Sequence, residues 1–377
     1  MRIGILTYYY DMNCGTTLQA YATLMAVKQV FPHDEVEIIP FRAFKLRRLP
    51  YKSEATLGSV MRDLRRIRGY YSFVRNFQRV TEDYVTSDPT EGIKYIKSQC
   101  YDRIYVGADT LLELDRLPKG YDGLSAFWLS PEIPAKKYLL AASSKNVNYQ
   151  NLSPKQKEDM QACVNSYSGI MVRDTATYEL ISHFTNIENL HLIPDPTFTL
   201  EIDYSYVERY IKYKKLDFSN VICFHPLKGE TWCAEVATRL RKEGYKVASF
   251  RPAKWADYEL NDMSPLEQLG IYNRFKCFVT HRFHDTVFCL KNGEPVVTYP
   301  ASDNYTAKIG GSKYSALYEL FGLTGLCLIP RKADITPDTM IDKIHTVMSG
   351  FDAYQSNVKV VCERLKDQYM SLLRETR

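Results

Sequence analysis

The sequence predicts an α/β protein with two doubly wound parallel sheets. Three observations carry that expectation. Short apolar runs suited to buried strands alternate with stretches of helical period, the pattern of parallel strands joined by helical crossovers. The series is interrupted at Pro194-Asp195-Pro196, where two prolines stop regular structure, and starts afresh at Asn220. The length of 377 residues suits two or three domains at roughly 100–200 residues each.

Taken in order, Ile3–Tyr8, Val36–Pro40, Arg103–Val106, Lys137–Ala142 and Gly169–Val172 read as strands of a first sheet, with helices over Thr16–Val30, Pro154–Ser166 and Asp174–Phe184. The second series reads as strand Val221–Phe224, helix Glu230–Lys242, strand Lys246–Phe250, helix Pro265–Tyr272, strand Cys277–Thr280, helix Asp285–Leu290 and strand Pro295–Tyr299. The expected domains are residues 1–200, 201–350, and a C-terminal helix within 351–377 that packs back on the first domain. Residues at about 42–100 fit neither sheet. They read as a helical, basic insertion in the N-terminal domain.

Composition narrows the function. The chain is 45% hydrophobic and 25% charged, which excludes disordered, collagen-like and coiled-coil classes. Its 29 Tyr and 17 Phe supply flat, partly polar rings that suit sugars and core packing alike. The net charge of +5 does not call for nucleic acid. It is unevenly spread, however: Arg42 to Arg79 holds eleven Lys or Arg against Glu54 and Asp63. The nine cysteines show neither a disulfide framework nor zinc-ligand spacing, so no metal is expected and a reducing cytoplasm fits. No signal peptide and no window resembling a membrane span is found.

Open α/β sheets bind ligands beyond the carboxyl ends of their strands, so the residues following each expected strand matter most. Asn13-Cys14-Gly15-Thr16-Thr17-Leu18-Gln19 follows the first strand and opens a helix. A glycine there lets backbone N–H groups approach an anion; the stretch equally suits an ordinary turn with Thr16 as N-cap. Thr280-His281-Arg282-Phe283-His284 follows a strand of the second sheet. If extended backbone persists to His284, Arg282 and His284 share a face, joining a guanidinium suited to phosphate or carboxylate with an imidazole that exchanges protons near neutral pH. Arg173, before a helix that Asp174 can cap, and Asp109, at the end of Gly107-Ala108-Asp109, add a cation and a candidate base. His225, in His225-Pro226-Leu227-Lys228-Gly229, touches a ligand or sits in a polar turn.

Together and in this order, Asn13–Ala22, Gly107–Asp109, Val172–Asp174, Asp195–Thr197 and Arg282–His284 resemble the polysaccharide pyruvyl transferase family. Two departures stand out: Ala108 replaces the family's usual Ser, and Thr110-Leu111-Leu112 its Gln-Val-Trp. The resemblance implies a glycosyltransferase-B-like architecture, two Rossmann-like domains facing across a cleft. It also implies phosphoenolpyruvate as co-substrate, no cofactor, and a sugar diol converted to a cyclic pyruvate ketal for a capsule or exopolysaccharide. His284, Asp109 and Arg282 then become the catalytic candidates. Arg173, Arg282, Lys308, Asn13, Gly15, Gln19, His225 and His281 are the substrate-binding candidates. The acceptor can be linked to polyprenyl diphosphate, and the basic helix Gly58–Arg79 is suited to peripheral contact with anionic lipid at the inner membrane face. Two alternatives stay open: a nucleotide-sugar glycosyltransferase, and a non-catalytic glycan-binding relative.

Overall fold

The computed structural model describes residues 1–9, 11–43, 56–145, 147–301 and 313–377. It divides into two compact units: Met1–Ser53 with Tyr71–Leu200 and Leu365–Arg377, and Glu54–Tyr70 with Glu201–Arg364.

The first unit opens with β1 (Arg2–Leu6), α1 (Cys14–Val30) and β2 (Glu35–Ile38). β3 (Phe41–Arg42) pairs in parallel with β4 (Tyr84–Val85), and between them in sequence runs α2 (Leu57–Phe73). Then come α3 (Pro89–Ser98), β5 (Arg103–Val106), β6 (Lys136–Ala142), α4 (Pro154–Asn165), β7 (Tyr167–Val172), α5 (Thr175–Ser182) and β8 (Leu190–Leu192). The six-stranded sheet has the order β2-β1-β5-β6-β7-β8 and is parallel throughout. From β1 the chain moves to β2 on one side and later to β5 on the other, so the order reverses between β1 and β5. That crevice is where such sheets take ligands.

The second unit contains α6 (Ser205–Lys214), β9 (Val221–His225), α7 (Trp232–Lys242), β10 (Lys246–Ser249), β11 (Tyr258–Glu259), α8 (Pro265–Ile271), β12 (Cys277–Thr280), α9 (Phe283–Asn292) and β13 (Val296–Thr298). They are followed by α10 (Lys313–Phe321), α11 (Thr324–Cys327), α12 (Pro337–Gly350) and α13 (Gln355–Arg374). Its parallel sheet runs β11-β10-β9-β12-β13. Here the order reverses between β9 and β12. Their near-continuous apolar sequences, VICFH and CFVT, are buried throughout, as expected of strands covered on both faces.

Three local expectations need correction. Helix α1 starts at Cys14 because Asn13, not Thr16, is its N-cap: the Asn13 side chain accepts from the Gly15 N–H at 3.2 Å. Extended backbone does not reach His284, since Arg282 is the N-cap of α9 and His284 already lies in its first turn. The stretch at 42–100 is not one insertion. Most of α2 belongs to the second unit, where Arg62 meets Glu259 at 2.6 Å and Arg65 meets Glu267 at 2.7 Å. By contrast, α3 buries Ile96 in the core of the first.

The last turns of α13 complete the first unit's core. Tyr369, Met370 and Leu373 pack with Ile3, Ile5, Leu24 and Val27, while the buried Arg103 guanidinium donates to the Thr376 carbonyl. Gly107 sits at the end of β5 with φ +149°, and a Cβ there would lie 1.6 Å from the Leu140 carbonyl oxygen of the neighbouring strand. We predict that Gly107→Ala lowers stability by at least about 3 kcal/mol. Gly120→Ala, at φ +81° with open space around it, should cost about 1 kcal/mol. Equal shifts of the two denaturation midpoints would contradict this.

Candidate functional site

In the first unit, the strand-end cluster centres on Asp109. Its φ of +95° is rare for a residue with a side chain. The neighbouring Ala108 carbonyl accepts from the Thr7 hydroxyl at 3.1 Å, and the Asp109 carbonyl accepts from the Ser143 N–H at 2.9 Å. The carboxylate accepts from the Thr16 hydroxyl at 2.9 Å and from the Thr110 N–H at 2.7 Å. A cavity of about 170 Å³ opens in front of it, lined by Tyr8, Asp11, Asn13, Thr16 and Arg116 among others. Tyr8 presents a fixed ring there: Phe127 meets it edge-on at 5.0 Å and Arg116 lies over it at 5.1 Å. A carboxylate, hydroxyls and an aromatic face form a surface suited to a small polyol.

Arg173, at the end of β7, is almost wholly buried in this unit. It donates to Gln19 Oε1 at 2.9 Å and pairs with Asp195 at 3.1 Å. Burial works against its charge, but Asp195 first, then Asp109 and Asp174, raise its pKa above the usual value. The Asp-Pro-Thr junction explains the pair. Asp195 caps the turn Pro196–Thr199, accepting from the Thr197 N–H at 3.0 Å and its hydroxyl at 2.6 Å, which aims the other carboxylate oxygen at Arg173. The sequence alone had offered Arg173 to a ligand; the fold gives its charge a partner. Gly15 lies in the first turn of α1.

In the second unit, the crevice between β9 and β12 holds a continuous polar chain. Parallel register sets Thr280 beside His225. His225, the last residue of β9, puts Nδ1 2.7 Å from Asp285, on α9. Asp285 also accepts from the Tyr272 hydroxyl at 2.8 Å and the Thr280 hydroxyl at 2.9 Å, and Gln268 donates to Tyr272 at 3.2 Å. On its other side, His225 Nε2 stands 3.4 Å from an Arg282 nitrogen. His281 directs Nδ1 at the His225 carbonyl, 3.0 Å away, and its own carbonyl accepts from Tyr314 at 2.6 Å.

Protonation follows from these contacts. Burial lowers the His225 pKa, Asp285 opposes that, and the cations Arg282 and Arg251 reinforce it. Burial alone would raise the Asp285 carboxyl, yet His225, then Arg282 and the Tyr272 bond, hold it well below the usual carboxylate range. The resting pair is therefore a neutral imidazole donating Nδ1–H to a carboxylate, with Nε2 left to accept. The cluster can bind an anion through Arg282 and pass a proton through an oriented imidazole.

Of the residues expected at the site, Asn13, Gly15, Gln19, Asp109 and Arg173 lie in the first unit, and His225, His281, Arg282 and His284 in the second. His284 is half-buried in the first turn of α9. Lys308 lies outside the described residues. Sequence reasoning missed Asp285 as the partner of His225, and Tyr272 as a donor to Asp285. Asp285 reads as a helix start, and only the register of β9 against β12 reveals its role. Among the described residues, no group of three or more His, Cys, Asp or Glu is placed to hold a metal ion, and no helix is long and apolar enough to cross a membrane.

His281 makes a pH test available. Burial, then the neighbouring His225, lowers its pKa to about 4, against about 6.5 in the unfolded chain. Between those values the unfolded chain binds more protons, so this residue's contribution is lost as pH falls through the window. His281→Gln should lose less denaturation midpoint than wild type between about pH 7 and about pH 4.5. Parallel pH curves for the two proteins would refute the assignment.

The geometry can be set against known proteins. A family model described as "Polysaccharide pyruvyl transferase" matches residues 13–303. No curated protein matches the sequence. Among solved structures, the UDP-GlcNAc 2-epimerase from Neisseria meningitidis bound to UDP-GlcNAc aligns with a TM-score of 0.61 at 8% identity, covering 100% of this chain and 99% of that one. A putative UDP-N-acetylglucosamine 2-epimerase from Listeria monocytogenes gives 0.57 at 9% identity, covering 97% and 95%. The Anabaena protein Alr3699/HepE in complex with UDP gives 0.53 at 12% identity, covering 100% and 98%. At such identities the likeness concerns the fold alone, an α/β fold of the glycosyltransferase-B type.

Proposed function

Since the chain belongs to the polysaccharide pyruvyl transferase family, we propose that it moves pyruvate from phosphoenolpyruvate onto two hydroxyls of one sugar, forming a cyclic ketal during cell-surface polysaccharide synthesis. The observation that carries this reading is the His225–Asp285–Arg282 cluster at the crevice of the second sheet. It joins an anion-binding guanidinium to an imidazole whose tautomer is fixed by a buried carboxylate. A donor that is both an anion and a proton acceptor at carbon requires that combination.

The reaction balances as follows. A proton is added to the methylene carbon of phosphoenolpyruvate, leaving a cationic centre at C2. One sugar hydroxyl attacks it, forming a C–O bond and giving up its proton. The C2–phosphate bond then breaks, inorganic phosphate leaves, and the second hydroxyl closes the ring as its proton departs. His284, in the first turn of α9, is the proposed proton donor to carbon. His225 Nε2, unprotonated at rest, takes the second hydroxyl's proton and passes it to the departing phosphate. Asp109 takes the hydroxyl proton, and Tyr8 and Asn13 beside it hold the sugar. Arg282 offsets charge on the phosphate as it leaves.

The decisive experiment incubates the purified chain with phosphoenolpyruvate and galactose-, mannose- or N-acetylmannosamine-containing acceptors, following phosphate release and the mass of the ketal. His284→Ala and Asp109→Asn should each reduce turnover by about 10²–10⁴-fold while leaving the thermal midpoint near wild type. Tight binding of a nucleoside diphosphate without ketal formation would instead favour glycosyl transfer. Sugar binding without turnover, unaffected by His284→Ala, would favour a non-catalytic role.

A lipid-linked acceptor is part of the proposal. Leu57, Met61, Leu64 and Arg68 recur at helical spacing along α2 and are exposed, an apolar and basic stripe suited to an anionic interface. The chain should float with anionic liposomes at low salt and less at high salt; no flotation in either would remove the membrane from the scheme.

A further inference from the structure

Arg251 is a cation that the chemistry above does not use. It leaves the carboxyl end of β10 just as His225 ends β9 and Arg282 follows β12. These three strands are neighbours in the sheet, in the order β10-β9-β12. Ser249 is in register with Phe224, and the Phe250 N–H donates to the Phe224 carbonyl at 2.9 Å. The Phe250 ring lies 5.5 Å from the His225 ring, so the next residue emerges at the rim of the same crevice. Two guanidinium side chains thus leave the strands on either side of one imidazole.

Among the described residues, neither forms an ion pair with a carboxylate of its own. Arg251 Nε is buried and donates to no acceptor among the described residues. Nor does the side chain form an ion pair there. The acidic groups that follow β10 are already taken: Asp257 pairs with Arg241 at 3.0 Å, Glu259 with Arg62 at 2.6 Å and Asp262 with Lys214 at 2.7 Å. Asp285 is occupied by His225, Tyr272 and Thr280. Arg282 has a neutral imidazole for its partner. Burial first, and then the positive charge of Arg282, lower the Arg251 pKa. Half-buried like charges that repel each other, with the nearby Asp285 carboxylate already bonded to His225, Tyr272 and Thr280, mark a place where an anion binds.

We propose that Arg251 and Arg282 together form a seat for a phosphoryl dianion at the crevice of the second sheet, with His225 between them. A phosphoryl group fits better than a lone carboxylate because two forked guanidiniums offer two positive charges and donors for its terminal oxygens. This deepens the pyruvyl-transfer reading and rests on it for the donor's identity. The groups that hold the donor phosphate, Arg251, His225 and Arg282, all belong to the second unit. The phosphoryl group can come from a phosphomonoester such as phosphoenolpyruvate or from a nucleoside diphosphate.

The test is isothermal titration of inorganic phosphate, phosphoenolpyruvate and UDP into the full chain. Arg251→Gln and Arg282→Gln should each weaken phosphate binding about ten- to hundredfold, whereas Arg241→Gln should leave it unchanged. Arg251→Lys keeps the charge without the fork and should fall between; it also serves if the Gln variant fails to fold. Wild-type phosphate affinity in folded Arg251→Gln or Arg251→Lys, or no saturable binding of any of the three probes to the wild type, overturns the seat. If ketal forms while Arg251→Gln binds phosphate normally, pyruvyl transfer stands and the seat falls. If the variants lose phosphate binding but no acceptor yields ketal, the seat stands and pyruvyl transfer falls. Preference for UDP over phosphoenolpyruvate would identify the diphosphate as the source.

Discussion

The carboxylate of Asp285 is the constraint on which the C-terminal chemistry depends. It is buried and ionised, and accepts hydrogen bonds from a strand end, a helix-terminal tyrosine and a threonine on the adjacent strand. An isolated buried carboxylate is very costly. Three donors make this one tolerable, and in return each donor is fixed in place. The fixed imidazole of His225 then presents Nε2 toward Arg282. Remove the carboxylate, and neither the tautomer nor the orientation of the ring is specified.

The first unit solves a parallel problem differently. Its buried cation, Arg173, meets a buried anion, Asp195, and a side-chain carbonyl, Gln19. That pair joins the end of β7 to the junction leading out of the unit and to α1. In one unit, then, the charges at the strand ends are matched internally. In the other, guanidinium charge is left in excess.

Much of the fold was legible because both sheets are parallel and buried on two faces, so that strands such as VICFH and KKYLLAA appear as apolar runs. The edge strands β8 and β11 were not, since LHL and YE are short and lack such a run. Helix α2 was misassigned because its arginines read as surface charge, and only the fold supplies Glu259 and Glu267 as their partners. Asp109, Arg282 and His225 could be named from their places after strands. That Asp285 belongs with His225, 60 positions away, and that Arg173 is already paired, are facts of register and turn geometry. Composition and spacing carry no trace of them.

The C-terminal turns of α13 bear on how the chain is made. Tyr369, Met370 and Leu373 fill the interior begun by Ile3 and Ile5, so the first unit's core is complete only once those residues have been made. The second unit needs nothing beyond Arg364. The nascent first unit carries an uncovered apolar flank for most of translation, a period in which a chaperone has something to hold.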